Sequence, residues 1–333
     1  MAEGESFSVV VPTYQRPEAL AQTLAALLDM DAPPAGYEVI VVDDGQDEDT
    51  RQVVHEARAA IATEVTYIGQ ATSGAATARN RGARRADGNI LLFCDDDIIV
   101  RSDHLLRQLA ARADFEEPLV NGVLQFSPAA FDVLRRTPFG RYRIELDRRY
   151  QREADGPSLG DGRYEARLVS ACNLAIRREA FWELGGFDEA FPYAGAEDQA
   201  LSLAARAKGF RLVRDHEIEV LHNDQTLTVT QFCRREERSA QTFVVLAARF
   251  PTEAERPLFA ANTPVSRRDS LPMVAKKVAK ALLGRWPILP GLHALARACE
   301  RSRVSDAILR RYYDALVGVH IHRGVRAALR RMQ

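Results

Sequence analysis

The stretch FCDDDIIV, Phe93–Val100, places three consecutive carboxylates between two apolar runs. The run that leads into it, Ile90–Cys94, is a strand candidate, so the acids fall where a strand leaves a packed sheet. An ordinary surface loop interleaves its acids with Gly, Ser or Lys, and this one does not. In an extended segment alternate side chains share a face, so Asp95 and Asp97 point one way and Asp96 the other. Hard divalent cations such as Mg²⁺ and Mn²⁺ take carboxylate oxygens and bridge to phosphate oxygens. A bound cation would make the like-charge crowding tolerable. Taken alone, the segment is equally compatible with a solvated acidic turn.

Working outward, strand and helix signals alternate through the first two-thirds of the chain. Val9-Val10-Val11 is a short β-branched run, and beyond Pro12 the residues Leu20, Leu24, Leu27 and Leu28 recur on one helical face, with Pro17 in the first turn. Val39–Val42 predicts a second buried strand, followed by a helix bearing Val53, Val54, Ala57 and Ile61. Val65–Ile68 predicts a third strand, and Ser73 is a candidate N-cap for a helix reaching Ala86. Continuous apolar strands separated by amphipathic helices predict a parallel sheet covered on both faces. Later, strand-like runs at Leu119–Phe126 and Leu168–Ile176 lack regular helical crossovers. The Arg-rich region from Arg135 to Arg167 between them carries no clear element and reads as partly mobile. A helix is expected over Glu197–Ala207, strands at Phe210–Val213 and Ile218–Leu221, and helices after Thr230.

Ligands of an open parallel sheet bind at the carboxyl ends of its strands. Four polar clusters fall there in chain order: PTYQR (12–16), DDG (43–45), ATARNRG (76–82) and DDD (95–97). No GxGxxG follows the first strand and no GxxxxGK[ST] occurs, so neither a dinucleotide fold nor a P-loop is supported. A second centre is AGAEDQALSLAARAKGF (194–210), where Glu197 and Asp198 open a helix after small residues. Acids in a first turn are commonly just partners for the helix dipole; the functional reading is a general base aimed at an attacking hydroxyl.

Together VVPTYQRPEAL, VIVVDDG, ARNRGA, LLFCDDD, GGFDEAF and GAEDQALSLAARAKG resemble the family 2 glycosyltransferases of the GT-A fold, over roughly Phe7 to Val213. The resemblance implies a fold of class α/β: a GT-A type, Rossmann-like, mostly parallel sheet covered by helices, with a helical C-terminal extension. It implies an inverting, hexosyltransferase-type enzyme that uses a UDP-, dTDP- or GDP-sugar with Mn²⁺ or Mg²⁺ and transfers to an acceptor hydroxyl. By position, it implies that Pro12, Thr13, Tyr14 and Arg16 line the nucleotide pocket, that Asp43 meets the base edge, and that Asp44 supports the turn. Arg79 would sit by the nucleotide, Asp95 would face ribose or sugar hydroxyls, and Asp96 would belong to the nucleotide-binding set. Asp97 would bind the metal, with Asp96 the alternative as principal ligand. His222 in VLHND falls where some members place a further ligand; a structural histidine is the competing reading. Asp198 matches the family's base, with Glu197 beside it, and GGFDEAF (185–191) would shape the acceptor side or simply form a tight turn packing Phe187. A helix N-terminus would keep Asp198 ionised and limit its basicity.

The expected organisation is a catalytic domain over 1–229, with a nucleotide-sugar half to about 125 and an acceptor half over 126–229, then a helical region over 230–333 that is basic from about 267. From Arg267 onward there are 15 Lys or Arg against 4 Asp or Glu, a net of +11 in a chain of net −1, which leaves −12 for the rest. In LPMVAKKVAKALLGRW (271–286), Val274, Val278 and Leu282 share a side and Lys276, Lys277 and Lys280 fall largely elsewhere. Such a helix suits an anionic membrane, or docks on the body or a second subunit. The tail reads as packing rather than nucleic-acid binding.

Hydrophobic content of 46% and charged content of 27% are those of a soluble globular protein. Four scattered cysteines without a CxxC pair argue for a reducing compartment. With no signal-peptide pattern at MAEGESF, the expected location is cytoplasmic, or peripheral at the inner face of the membrane. The acceptor is expected to be a lipid-linked glycan, a secondary metabolite or a protein. Two rivals are a sugar nucleotidyltransferase, which would want a Gly-rich loop where PTYQRP stands, and a non-catalytic carbohydrate-binding or scaffold protein, which would not need both DDD and ED.

Overall fold

The computed structural model describes residues 4–60, 63–224, 228–254, 257–302 and 304–332, so Ile61 of the expected second helix lies outside the described residues. The elements run β1 (Phe7–Thr13), α1 (Pro17–Leu28), β2 (Tyr37–Asp43), α2 (Glu48–Ala60), β3 (Glu64–Gly69), α3 (Ala75–Arg85), β4 (Ile90–Cys94), β5 (Ile98–Val100), α4 (His104–Arg112) and β6 (Leu119–Phe126). They continue with α5 (Pro128–Leu134), α6 (Pro138–Ala154), β7 (Asp155–Gly160), β8 (Arg163–Ala166), β9 (Asn173–Arg177), α7 (Arg178–Glu183), α8 (Glu197–Ala207) and β10 (Leu212–His222). The rest is helical: α9 (Val229–Arg249), α10 (Pro251–Ala254), α11 (Pro257–Ala260), α12 (Leu271–Leu283), α13 (Ile288–Glu300) and α14 (Asp306–Arg331).

Two compact units result. The first contains the chain up to Ala130, Arg149–Glu189 and Glu197–Asp224; the second contains Phe131–Arg148, Ala190–Ala196 and the chain after Asp224. In the first, the strand order is β3-β2-β1-β4-β9-β6-β10-β8-β7, with β5 on β10. β3, β2, β1 and β4 are parallel neighbours, while β9 runs antiparallel to both β4 and β6. The expected α/β, GT-A-like sheet is therefore present, mixed rather than wholly parallel beyond β4.

Alternation along each strand builds two apolar layers. Val9, Val11, Val39, Val41 and Leu92 face Leu20, Leu24 and Leu27 of α1 and Val54 of α2. Val10, Ile40, Val42, Leu91 and Phe93 face Ala78 and Ala83 of α3, Phe181 of α7 and Leu201 of α8. Strands buried on both faces read as unbroken apolar runs, which explains why these four were visible in the sequence.

Several local expectations need correction. Ser73 does not cap α3: Gly74, at φ 97°, holds that position without a side-chain cap, and the Ser73 hydroxyl donates to the Ala71 carbonyl. The two strands expected at 210–213 and 218–221 are one strand, β10, with a register shift between Arg214 and Glu219. The expected strand at Leu168–Ile176 begins only at Asn173. The Arg-rich region is not irregular; it forms α6 and the β7–β8 hairpin. Arg is a good helix former, and α6 buries Phe139, Tyr142, Arg143 and Leu146 at helical spacing.

The helical unit closes on an aromatic cluster of Phe139, Tyr142, Phe232 and Tyr313, with Tyr313 fully buried and its hydroxyl donating to Glu300 Oε1 at 2.8 Å. Thr228 and Gln231 form a capping box at the start of α9. Gly324 lets α14 lie against the α9 backbone: a Cβ there would sit 2.1 Å from the Glu237 carbonyl oxygen. We predict that Gly324→Ala destabilises the protein by about 1–3 kcal/mol in urea unfolding, the usual cost of overpacking, whereas Gly318→Ala, where the nearest atoms are the end of the Lys280 side chain at 3.4 and 3.5 Å, changes it little.

Candidate active site

The parallel register pairs Thr13 with Asp43 at the ends of β1 and β2 and places the end of β4 beside them, so the polar clusters share one sheet edge. At β2, the Asp43 and Asp44 carboxylates organise the turn. Asp43, expected at a base edge, is fully buried: Oδ1 accepts from the Gly45 amide at 3.0 Å, and Oδ2 accepts from the Asp47 amide at 2.7 Å and the Tyr67 hydroxyl at 2.8 Å. Asp44 accepts from Gln70 Nε2 at 2.7 Å and from the Ser73 and Gly74 amides, both at 2.8 Å. Tyr67 and Gln70 carry these contacts, and single polar residues at the end of a strand gave no sequence signal for them. Tyr14 is half-exposed beside Gly45, and a Cβ on Gly45 would stand 3.2 Å from its ring.

The three acids of the opening motif reach four partners, with Arg16 shared by Asp96 and Asp97. Asp96 Oδ2 accepts from the Thr13 hydroxyl at 2.7 Å, and its Oδ1 from Arg16 Nη1 at 2.7 Å. Asp97 Oδ2 meets Arg16 Nη2 at 2.6 Å and His222 Nε2 at 3.2 Å. Asp95 meets Arg79 Nη2 at 2.7 Å. β5, the short apolar run after the acids that carried no strand assignment in the sequence, explains His222. It turns back from the acidic segment to pair with β10, setting His222 opposite Ile98, and the Asn223 amide donates to the Asp97 carbonyl at 2.9 Å.

These surroundings drive the carboxylates apart electrostatically. Burial pushes Asp96 up to about 6 against the opposing pull of Arg16 and Thr13. Burial also works against the Asp97 anion, but the hydrogen bond and charge of His222, with Arg16, win and hold it down at about 2. Burial lowers His222, and the Asp97 contact outweighs it, so its net direction is upward.

Arg79 joins the two halves of the site. Buried on α3, it donates through Nη2 to Asp95 and through Nη1 to Glu197 Oε1 at 2.8 Å, across 118 residues of sequence. Burial opposes its charge, yet Asp95 and Glu197 together raise its affinity for the proton. Glu197 is thus an internal strut. Asp198 beside it is half-buried, and its Oδ1 accepts from the Gln199 amide at 2.8 Å. Burial and the neighbouring Glu197 push Asp198 up to about 7, with Arg79 pulling the other way. The helix N-terminus, expected to keep Asp198 ionised, reaches it through the Gln199 amide, which pulls downward against burial and Glu197.

GGFDEAF takes the tight-turn form. Phe187 is buried against Phe93 and Phe181, and Asn80 of α3 clasps the turn, donating to the Phe187 carbonyl at 2.7 Å and accepting from its amide at 2.9 Å. Gly186, at φ 70°, is required because a Cβ would stand 2.9 Å from Asn80 Oδ1.

A hard divalent cation fits this donor set. Asp97 and His222 offer an oxygen and a nitrogen 3.2 Å apart, with half-exposed Asp95 in the same segment. Among the described residues, these groups do not gather three ligand atoms within 4.8 Å, so side chains alone leave an incomplete shell.

An α/β sheet with this edge defines a domain of the GT-A glycosyltransferase type. Residues 8–185, more than half of the chain, match the model of the family described as Glycosyl transferase family 2, and the chain belongs to that family. Validoxylamine A glucosyltransferase of Streptomyces hygroscopicus subsp. limoneus is 30% identical over 230 residues, 63% of this chain and 50% of the relative. The chain spans about half the length of the curated relatives it matches. The fold is similar to that of mannosyltransferase PcManGT from Pyrobaculum calidifontis, solved in complex with GDP-Man and Mn²⁺, at TM-score 0.60 and 20% identity over 97% of this chain and 88% of that one. S. aureus TarS 1-349 aligns at TM-score 0.52 and 16% identity over 98% and 92%.

Removing the Arg79 cation leaves two acids facing each other across a buried gap. We predict that Arg79→Met costs about 3–5 kcal/mol of stability, as for other broken buried pairs. Arg79→Lys should rescue only part of that loss, because a point charge cannot span both acids. Adding Glu197→Gln to Arg79→Met should recover part of it, measured by guanidinium unfolding; a near-neutral single variant would remove the strut role.

Proposed function

We propose that this chain is an inverting glycosyltransferase that moves a hexosyl group from a nucleoside-diphosphate sugar to an acceptor hydroxyl, with Asp198 as general base. The observation that carries this is the Asp95–Arg79–Glu197 bridge, which ties the acidic donor edge to the helix start bearing a carboxylate poised near neutral pH. Such a group is ionised often enough to accept a proton and basic enough to take it. Asp198 removes the acceptor proton as the hydroxyl attacks the anomeric carbon; the bond to the diphosphate oxygen breaks on the opposite face, and one displacement inverts the carbon.

On the donor side, we assign Pro12, Thr13, Tyr14 and Arg16 to the nucleotide rim, with the Tyr14 ring as the exposed surface for a base. Asp43 and Asp44 support that rim by fixing the β2 turn, and Asp95 and Asp96 complete the edge toward ribose and sugar. Asp97 and His222 would hold Mn²⁺ or Mg²⁺. When bound, the ion supplies Lewis-acid neutralisation of the diphosphate charge. The GDP-Man and Mn²⁺ of the archaeal structure and the glucosyltransferase relative support a hexose on a nucleotide with a divalent ion. That relative's name also favours a small secondary metabolite as acceptor class.

The expected division into a catalytic region over 1–229 and a helical region over 230–333 is kept as a functional proposal, the second serving as a surface anchor. In α12 one lysine departs from the sequence reading while Lys276 stays exposed. Lys277 is buried, its Nζ donating to Asp269 at 2.8 and 2.9 Å, whereas Val278, Leu282 and 84%-exposed Trp286 face outward. With a net +11 beyond residue 266, we assign this face to an anionic lipid surface, which uses an exposed Trp and aliphatic residues rimmed by cations. No helix of the described chain is long and apolar enough to cross a membrane.

Three measurements follow. Asp198→Asn should leave nucleotide-sugar affinity nearly intact while transfer falls by roughly 10²–10⁴-fold, and wild-type transfer should rise with pH through about 7. A carboxyl raised in the folded state binds more protons there than when unfolded, so stability falls as pH climbs from about 4 to about 7. Asp198→Asn should therefore be the more stable protein at pH 8; near wild-type turnover would move the base elsewhere. Asp97→Ala should weaken nucleoside diphosphate binding in Mn²⁺ and little in EDTA by calorimetry, and equal losses would make Asp97 a direct or structural contact. Leu282→Ser with Trp286→Ser should abolish sedimentation with phosphatidylserine vesicles; if wild type never sediments at low salt, a protein partner covers the face instead.

A further inference from the structure

The helical unit gathers three metal-ligating side chains that the glycosyl-transfer reading does not use. Cys233 of α9, His293 of α13 and His320 of α14 are all buried, and Sγ and one ring nitrogen of each histidine lie within 4.8 Å of one another. The Nε2 atoms of the two histidines face each other at 2.9 Å. Both Nδ1 atoms are already engaged: His293 Nδ1 with the Thr230 hydroxyl at 3.1 Å and His320 Nδ1 with Glu237 Oε2 at 2.5 Å. Glu237 in turn pairs with Arg323 at 3.2 Å.

We propose that Cys233, His293 and His320 bind one Zn²⁺ that clips α9, α13 and α14 together. Two imidazole nitrogens at about 2.0–2.1 Å from a tetrahedral Zn²⁺ stand roughly 3.3 Å apart, and the Nε2 pair needs to open by only a few tenths of an ångström from its 2.9 Å separation. Histidines that hold a metal by one nitrogen usually tie the other to a carboxylate or hydroxyl, fixing tautomer and ring direction; Glu237 and Thr230 do this here. Thr230, Cys233 and Glu237 recur at i, i+3 and i+7 of α9, one helical face, so a single helix supplies a ligand and both second partners. Donor softness favours Zn²⁺ over the oxygen-seeking Mg²⁺ or Mn²⁺ expected at the acidic edge. Burial pushes the free Cys233 thiol up to about 12, so binding must displace its proton. In the free protein the proton between the two Nε2 atoms belongs to His293. On binding it moves to His293 Nδ1, which then donates to the Thr230 oxygen, while His320 keeps its own on Nδ1 toward Glu237 and the thiol proton leaves to solvent. One proton is released per ion, and water takes the fourth position.

The test is a Co²⁺ titration of the full chain followed by visible and near-ultraviolet absorption, in an Asp97→Ala background that removes the donor-edge ligand. The expected result is one Co²⁺ per chain with a thiolate-to-cobalt charge-transfer band, displaced by equimolar Zn²⁺, and a Zn²⁺-dependent rise in Tm. Cys233→Ser should abolish the band, and His293→Gln should weaken cobalt affinity at least tenfold. Absence of a band in the Cys233-containing protein overturns the proposal without any further variant, so a folding failure of Cys233→Ser does not shelter it. Persistence of the band in Cys233→Ser overturns it too, since it would place the thiolate at Cys94, Cys172 or Cys299.

Discussion

The guanidinium of Arg79 is the point on which the acidic sheet edge and the helix bearing Asp198 are jointly fixed. A cation that deep is tolerable only because Asp95 and Glu197 both reach it, at 2.7 and 2.8 Å, and each acid is acceptable in its place only because the cation is there. The Phe187 ring, 5.5 Å from the guanidinium carbon, closes one side against water, which strengthens the pairing by lowering the local dielectric. The Phe187 turn is itself held by Asn80, one residue along α3 from Arg79. One turn of α3 thus positions β4's outgoing acid, the GGFDEAF turn and the start of α8. The arrangement is rigid for a physical reason: a forked donor satisfies two acids only at one separation and orientation.

What the sequence disclosed divides along the range of the interactions. Strands buried on both faces announced themselves as apolar runs, and α1 through its leucine spacing, because burial of such side chains is a local property of the pattern. The strand-end polar clusters were visible for the same reason. The pairing among them was not, since Thr13 with Asp96 and Arg79 with Glu197 lie 83 and 118 residues apart. β5 escaped because three residues carry no periodicity, although its pairing with β10 delivers His222 to Asp97. Ser73 misled because a good capping residue next to a glycine was read without the competing demand of Asp44, which takes the Ser73 and Gly74 amides instead.

The basic tail shows the same limit from the other side. A helical wheel assigns lysines to water and valines to the interior by default, and in α12 the reverse holds at Lys277. Asp269, Thr263 and the Pro264 carbonyl surround its ammonium with acceptors, so the charge is compensated and the methylene stem contributes apolar contact. Lys280 nearby is pushed down to about 8 by burial and by Lys276. The net charge of the segment was legible; which of its charges reaches the surface was decided by partners outside the helix.

Like groups diverge within one unit. Asp97 is held down at about 2 and Asp198 raised to about 7, though both are carboxyls of the same residue type with burial working against their charge. The difference is the company each keeps. Asp97 shares one oxygen with a histidine and an arginine, so its anion is fixed and suited to a cation or its surrogate. Asp198 has an acid as its immediate neighbour and the nearby cation already divided between two other carboxylates. Keeping a partly buried carboxyl raised lowers stability at neutral pH. Environments that push two carboxyls apart suit one to stay an anion and the other to exchange a proton, which is the pairing of roles that the proposed reaction would require.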